Sequence, residues 1–148
     1  GNEMAFYDLL LPEDPGTVVM NGKEYAWNTW GEILNPPTDA QVWATYKNEF
    51  YEGSPAVTFR KLGKGTVTYV GVDSHDGALE KDILKKLYAQ LNISVMDLPY
   101  GVTMEYRNGL GIVLNYSDRP YTFNLPKGGK VLIGTAEIPT AGVLVFSM

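Results

Sequence analysis

Asp73-Ser74-His75-Asp76 is the one stretch where side chains able to move protons or hold a metal crowd together, and it contains the chain's sole histidine. It falls where a strand hands over to a helix, a place where α/β sites often lie. A metal centre needs three or four converging ligands, and neighbours along one loop do not converge without residues from elsewhere. The chain has no cysteine, which excludes thiolate ligands and thiol nucleophiles. A Ser-His-Asp triad fits poorly, because the residues are consecutive and no G-x-S-x-G elbow is present. The plainer reading is a capped helix start with a surface histidine; Asp73, His75 and Asp76 remain a polar site only for a small α/β enzyme. Lys61-Leu62-Gly63-Lys64-Gly65 has the look of a phosphate-binding loop. Gly65, however, stands where Ser or Thr must reach the metal, and Thr58 where the first glycine belongs. The segment reads as a hairpin whose turn, Gly63-Lys64-Gly65, joins residues 56–60 to 66–72. That turn is expected to be costly for a β-branched residue at Gly65.

Sugar chemistry has its own requirements. Glycoside hydrolysis takes two carboxylates about 5 to 9.5 Å apart across a cleft. Nine glutamates are present, but none sits in a context that singles it out, so no catalytic residue is assigned. No cofactor-binding or metal residue is assigned either. The faces of Trp27, Trp30, Trp43, Tyr46 and Tyr51 suit stacking on pyranose rings, and they suit core or interface packing equally well. A row of these aromatics exposed on one face would mark an independent carbohydrate-binding module. Seven aromatics between Tyr25 and Tyr51 also predict an uncovered apolar patch, the face of a former contact.

The elements that must position these residues follow from turn signals and periodicity. Asn21-Gly22 between residues 17–20 and 23–27 predicts a type I′ hairpin. Residues 41–46 alternate, with Val42, Ala44 and Tyr46 on one face and Gln41, Trp43 and Thr45 on the other. Residues 78–91 carry Leu79, Ile83, Leu84, Leu87, Tyr88 and Leu91 at helical spacing. Asp76 is the expected N-cap, Asp82 and Lys86 an i,i+4 pair, and Asn92 a left-handed C-terminal residue. Strand followed by capped helix is α/β grammar. Beyond Pro99 it changes to short strands at 102–106, 110–116, 121–125, 130–133 and 143–146, separated by turns, which predicts an antiparallel sheet or sandwich. The expected domains are 1–97 and 98–148, an α+β chain.

Seventeen acidic against twelve basic residues leave a net charge of −5. Nucleic acid and anionic membrane, which both demand a basic footprint, are poor partners. No apolar stretch approaches the roughly 20 residues of a membrane span. The absence of cysteine fits a cytosolic and an exported protein alike. A chain opening Gly1-Asn2-Glu3 reads as a piece excised from something longer.

The order of several motifs resembles the C-terminal half of glycoside hydrolase family 42 β-galactosidases. They are Trp30-Gly31-Glu32-Ile33-Leu34, Tyr46, Tyr51-Glu52-Gly53-Ser54-Pro55-Ala56-Val57-Thr58, Gly63-Lys64-Gly65 and Tyr69-Val70-Gly71. Arg107, Leu114-Asn115-Tyr116-Ser117, Ile138-Pro139 and Val143-Leu144-Val145-Phe146 resemble the family's terminal β domain. The resemblance implies a catalytic barrel outside this chain, holding both catalytic glutamates of a retaining hydrolase. It further implies a truncated α/β trimerisation domain, glutamine amidotransferase-like and flavodoxin-like, followed by a small antiparallel β-sandwich. The implied partners are the parent's barrel and, in the full-length protein, two further copies of the chain.

Overall fold

Turn chemistry sets the pairing of the first strands, β1 (Glu3–Asp8), β2 (Gly16–Met20) and β3 (Lys23–Asn35). Asn21 and Gly22 sit at φ of 52° and 78°, the left-handed conformations a type I′ hairpin demands, so Met20 faces Lys23 across an antiparallel ladder. The computed structural model describes residues 1–148, which divide into two units, Gly1–Ser94 and Val95–Met148. In the first unit β4 (Gln41–Lys47), β5 (Pro55–Leu62), β6 (Gly65–Val70) and β7 (Val72–Ser74) complete one sheet, and α1 (Ala78–Gln90) follows. The strand order is β1-β3-β2-β4-β5-β6, with β7 on β3.

Every pairing in this sheet is antiparallel. A flavodoxin-like part calls instead for parallel strands joined through helices, and residues 1–94 contain no such pair. The strand-to-helix order near 72–78 is a single handover rather than a repeating unit, and two-residue turns join antiparallel neighbours. The turn expected at Gly63-Lys64-Gly65 is tighter than its spacing suggested. Leu62 faces Gly65, Gly63 alone takes a positive φ, 58°, and a Cβ on Gly65 would meet nothing closer than Leu62 O at 3.8 Å. Gly63→Val is therefore expected to lower stability by about 1 kcal/mol, whereas Gly65→Val should leave the melting temperature nearly unchanged. Equal losses in the two variants by thermal denaturation would return the strain to Gly65.

Gly71 links strands that are far apart in the order. Its N–H donates to Ala56 O in β5 at 2.9 Å, and its own oxygen accepts from Glu32 N in β3 at 2.6 Å. The sheet must curl back on itself for one residue to reach both. A Cβ there would lie 3.1 Å from Glu32 O and 3.2 Å from Ala56 O. Inside the curl, Trp27 packs edge-on to Tyr46 at 5.5 Å, and Tyr46 edge-on to Tyr51 at 5.1 Å. The Tyr46 hydroxyl donates to Glu32 O at 2.9 Å. Burial first, then the Glu32 and Asp8 charges, push its phenol above the ordinary value. The expected alternation in β4 fails because register shifts on either side of Ala44 break the period of two. Trp43 and Ala44 are thus both buried while Val42 is exposed.

The helix meets the sheet through Leu79 and Ile83, with Leu87 partly buried against the same cluster. Leu84, Tyr88 and Leu91 remain exposed. Gly77, not Asp76, holds the N-cap position, at φ 70°; Asp76 accepts instead from Ala78 N at 3.0 Å. Asn92 does take the left-handed conformation, at φ 54°. The anticipated Asp82–Lys86 pair gives way to tertiary partners. Lys86 Nζ lies 4.0 Å above the Trp43 ring, while Asp82 accepts from Lys23 at 2.7 Å and Tyr25 at 2.8 Å. Those two bonds, Lys23 foremost, hold the Asp82 carboxyl below its ordinary value near 3.8. A carboxyl depressed by folding adds stability above its unfolded pKa and loses it as the pH falls through the folded one. Asp82→Asn is accordingly expected to destabilise at neutral pH, with the gap to wild type closing below about pH 4. A gap that stays constant through an acid titration followed by circular dichroism rejects this.

In the second unit β8 (Val102–Arg107) and β9 (Leu110–Asn115) form a hairpin through Asn108-Gly109, at φ 50° and 78°. After β10 (Tyr121–Thr122) come β11 (Lys130–Ile133), β12 (Glu137–Ile138) and β13 (Val143–Ser147). A four-stranded sheet, β11-β13-β9-β8, and a two-stranded one, β10-β12, are both antiparallel. Val102, Val113, Phe123, Ile138, Leu144 and Phe146 form their core; the pairing is antiparallel as expected, but the strand expected over 121–125 ends at Thr122, where its only partner is the two-residue β12.

Candidate interaction surface

Four of the five aromatics with stacking potential are core residues. Trp27, Tyr46, Tyr51 and Trp43 are 0, 1, 5 and 7% exposed, so their faces meet protein and cannot meet a sugar. Trp30 alone is exposed. The patch expected between Tyr25 and Tyr51 shrinks to Trp30 and Phe50, because the curled sheet has an interior large enough for the others.

Asp73, His75 and Asp76 all face solvent. His75 Nδ1 lies 2.9 Å from Asn28 Nδ2, and no three acidic or histidine side chains of the chain are arranged to hold a metal ion. The residue that works in this loop is Ser74, which is buried. Its N–H and hydroxyl both donate to the Glu80 carboxylate, and its Oγ accepts from Leu79 N at 3.4 Å. The segment fixes the start of α1.

Sequence reasoning missed a different surface, built on β1. Asp8 faces Gly31 and Glu3 faces Asn35, and β3 is the only strand that β1 pairs with. A bulge positions one of its partners: three residues of β3, 28–30, lie opposite the single Asp73 of β7 between the pairs Trp27–Ser74 and Gly31–Val72. Thr29, at φ 72°, turns Trp30 outward onto Tyr7, ring on ring at 4.6 Å and 11°. Phe50 stacks on Phe6 at 5.8 Å and 8°. Met4, Phe6, Tyr7, Leu9, Leu11, Trp30 and Phe50 are all exposed, Phe50 at 87%. An open strand edge flanked by aromatics is a pairing surface that soluble chains normally cover or charge. One signal was available. Residues 4–11 are apolar at successive positions with a single Asp, the pattern of a strand meant to be covered on both faces.

A family model described as the β-galactosidase trimerisation domain matches residues 1–99, and one described as the β-galactosidase C-terminal domain matches residues 101–148. The chain belongs to the glycoside hydrolase family 42 β-galactosidases. The β-galactosidase BgaA of Clostridium cellulovorans is 36% identical over 118 residues, which cover 76% of this chain and 18% of that protein. BgaP of Planococcus sp. is 26% identical over 158 residues, covering 95% of this chain and 23% of its own length. Among solved structures, the β-galactosidase of the haloarchaeon Halorubrum lacusprofundi superposes with a TM-score of 0.81 at 25% identity, over all of this chain and 23% of that one. The cold-adapted β-galactosidase from Rahnella sp. R3 gives 0.80 at 25%, over all of this chain and 24% of that one. Family 42 relatives are thus much longer than this chain, which spans 9 to 24% of those cited and of the Lactobacillus acidophilus LacA. Within the family-42 frame, the β1 surface falls inside the trimerisation match and the second unit's core inside the C-terminal match.

Proposed function

We infer that this chain is the non-catalytic, subunit-joining C-terminal region of a family 42 β-galactosidase, with residues 1–97 ending the trimerisation domain and 98–148 forming the β domain. The observation that carries the reading is the uncovered aromatic edge of β1 within residues that match a trimerisation domain. The parent would hydrolyse terminal β-galactosides by a retaining mechanism in a barrel, with two glutamates contributed by that barrel. On this reading the antiparallel sheet of residues 1–94 adjoins a glutamine amidotransferase-like α/β part of the parent, and three parent chains assemble together. An independent carbohydrate-binding module loses its support with the burial of Trp27 and Trp43. The small-enzyme reading of Asp73, His75 and Asp76 loses its support with their exposure and lack of converging partners.

The test has two arms on the pure 148-residue chain. No hydrolysis of a chromogenic galactoside is expected, and activity abolished by a point substitution inside these residues would sink the reading. Sedimentation equilibrium should show self-association, weakened about 30-fold or more by Phe6→Lys or Trp30→Lys if these rings are the buried anchors of the contact. A wild-type monomer at high concentration removes the joining role.

A further inference from the structure

Tyr100, Tyr116, Asp118, Arg119 and Tyr121, with Pro99 and Pro120, line a cleft of about 790 Å³ in the second unit. That volume lies within the usual range of small-molecule sites, which combine apolar or aromatic walls with a few placed polar groups. The two loops that make it are held by buried structure rather than by the cleft itself. Asn115 is 1% exposed, and its Nδ2 donates to Arg119 O at 2.9 Å, Ile138 O at 3.0 Å and Pro139 O at 3.2 Å. Its Oδ1 accepts from Ser117 N and from the Ser117 hydroxyl, which also reaches Arg119 O. Tyr116 N donates to Gly101 O at 2.6 Å. Gly101, at φ 82°, lets the two loops approach so closely that a Cβ would lie 2.9 Å from Ser117 N.

The backbone groups at Gly101, Ser117 and Arg119 are thus already bonded, leaving the rings and two charged side chains to meet a ligand. Tyr100 is wholly exposed and Tyr116 69% exposed. Asp118 Oδ1 and Arg119 Nε lie 3.3 Å apart, so their charges largely cancel. The cleft therefore selects for no net charge, while offering a carboxylate that accepts hydrogen bonds beside a planar guanidinium that donates them. An extended peptide is read through unpaired backbone groups along a strand edge, and those bonded at Gly101, Ser117 and Arg119 give it no such edge. A sugar ring satisfies every feature: its C–H face lies on a phenol ring, and its neighbouring hydroxyls donate to Asp118 and accept from Arg119.

We propose that this cleft is a non-catalytic binding site for an uncharged pyranoside of one or two rings. The choice of galactosides as first probes rests on the functional reading above; the chemistry of the cleft does not. The isotope-labelled 148-residue chain is titrated with methyl β-galactopyranoside, lactose and methyl β-glucopyranoside and followed by amide chemical shifts. Shifts confined to residues 99–101 and 115–121 are expected. Tyr100→Ala and Tyr116→Ala should each weaken binding about tenfold, a change of one decade in Kd, with spectra that stay as dispersed as wild type. Tyr88→Ala, at an exposed helix position of the other unit, should change nothing. Binding of the glucoside but neither galactoside would uphold the site and leave the functional reading to its own two tests. No shift with any sugar, shifts that survive both alanine variants, or displacement of the same resonances by a proline-rich peptide alone would overturn it.

Discussion

Trp27→Ala is expected to lower the stability of the first unit by roughly 3 to 5 kcal/mol, the range for deleting a large aromatic from a core that cannot collapse around the loss. The ring is fully buried and is seated between two glycines that have no room for anything more. A Cβ on Gly16 would fall 2.5 Å from its Nε1, and one on Gly31 would fall 2.7 Å from its Cη2. These contacts predict coupling. Gly31→Ala should be costly in the wild-type chain, by about 1 to 3 kcal/mol of overpacking, and far milder once Trp27 is alanine, because the group it strikes is gone. The indole N–H is buried without a partner, so Trp27→Phe discards a desolvated donor and should cost less than the alanine variant. Urea unfolding followed by circular dichroism measures all four. Strict additivity of the Gly31 and Trp27 losses would show that the ring does not sit where the glycine makes space for it.

Asn115→Asp should be the most damaging conservative change in the second unit. The substitution exchanges a donor that satisfies three carbonyl oxygens for an oxygen that faces them, at a site 1% exposed. Breaking a buried polar network and leaving an uncompensated charge typically costs about 3 to 5 kcal/mol. The pH sign distinguishes this cause from mere disturbance of packing. The new carboxyl would be raised on folding, so the variant should gain stability relative to wild type as the pH falls and the group takes up a proton. A loss equal at pH 7 and at low pH, measured by urea titration, would show that the amide's donors are not what holds residues 115–121.

How far the sequence disclosed this molecule varied with the physics of each feature. Asn21-Gly22 and Asn108-Gly109 declared their hairpins because the left-handed backbone is a local demand that few residues meet. Helix 78–90 was visible in its periodicity, but Leu84 and Tyr88 remain outside, since a 3.6-residue repeat marks the apolar positions without saying which of them find a partner. Within residues 1–94 the hairpins at Asn21-Gly22 and Gly63-Lys64-Gly65 were legible, but a strand-to-helix handover that parallel folds share masked the antiparallel course of the rest. Trp43, expected on the face opposite Ala44, is buried together with it because register shifts in β4 break the alternation, and a bulge leaves almost no mark in composition. The cleft of the second unit depends on Asn115 joining Arg119 to Ile138 and Pro139, a closure over more than twenty residues that no local pattern announces.

All three tryptophans belong to Gly1–Ser94 and none to Val95–Met148. The sealed, unpartnered indole of Trp27 should therefore emit at short wavelength in the folded chain and shift to the red when water reaches it. Tryptophan-selective excitation becomes a private reporter for the first unit, deaf to the second, whose chromophores are tyrosines and phenylalanines. Two-state unfolding is recognised by the coincidence of different probes. Comparing indole emission with far-ultraviolet ellipticity would reveal whether the two units melt as one cooperative body or in separate steps.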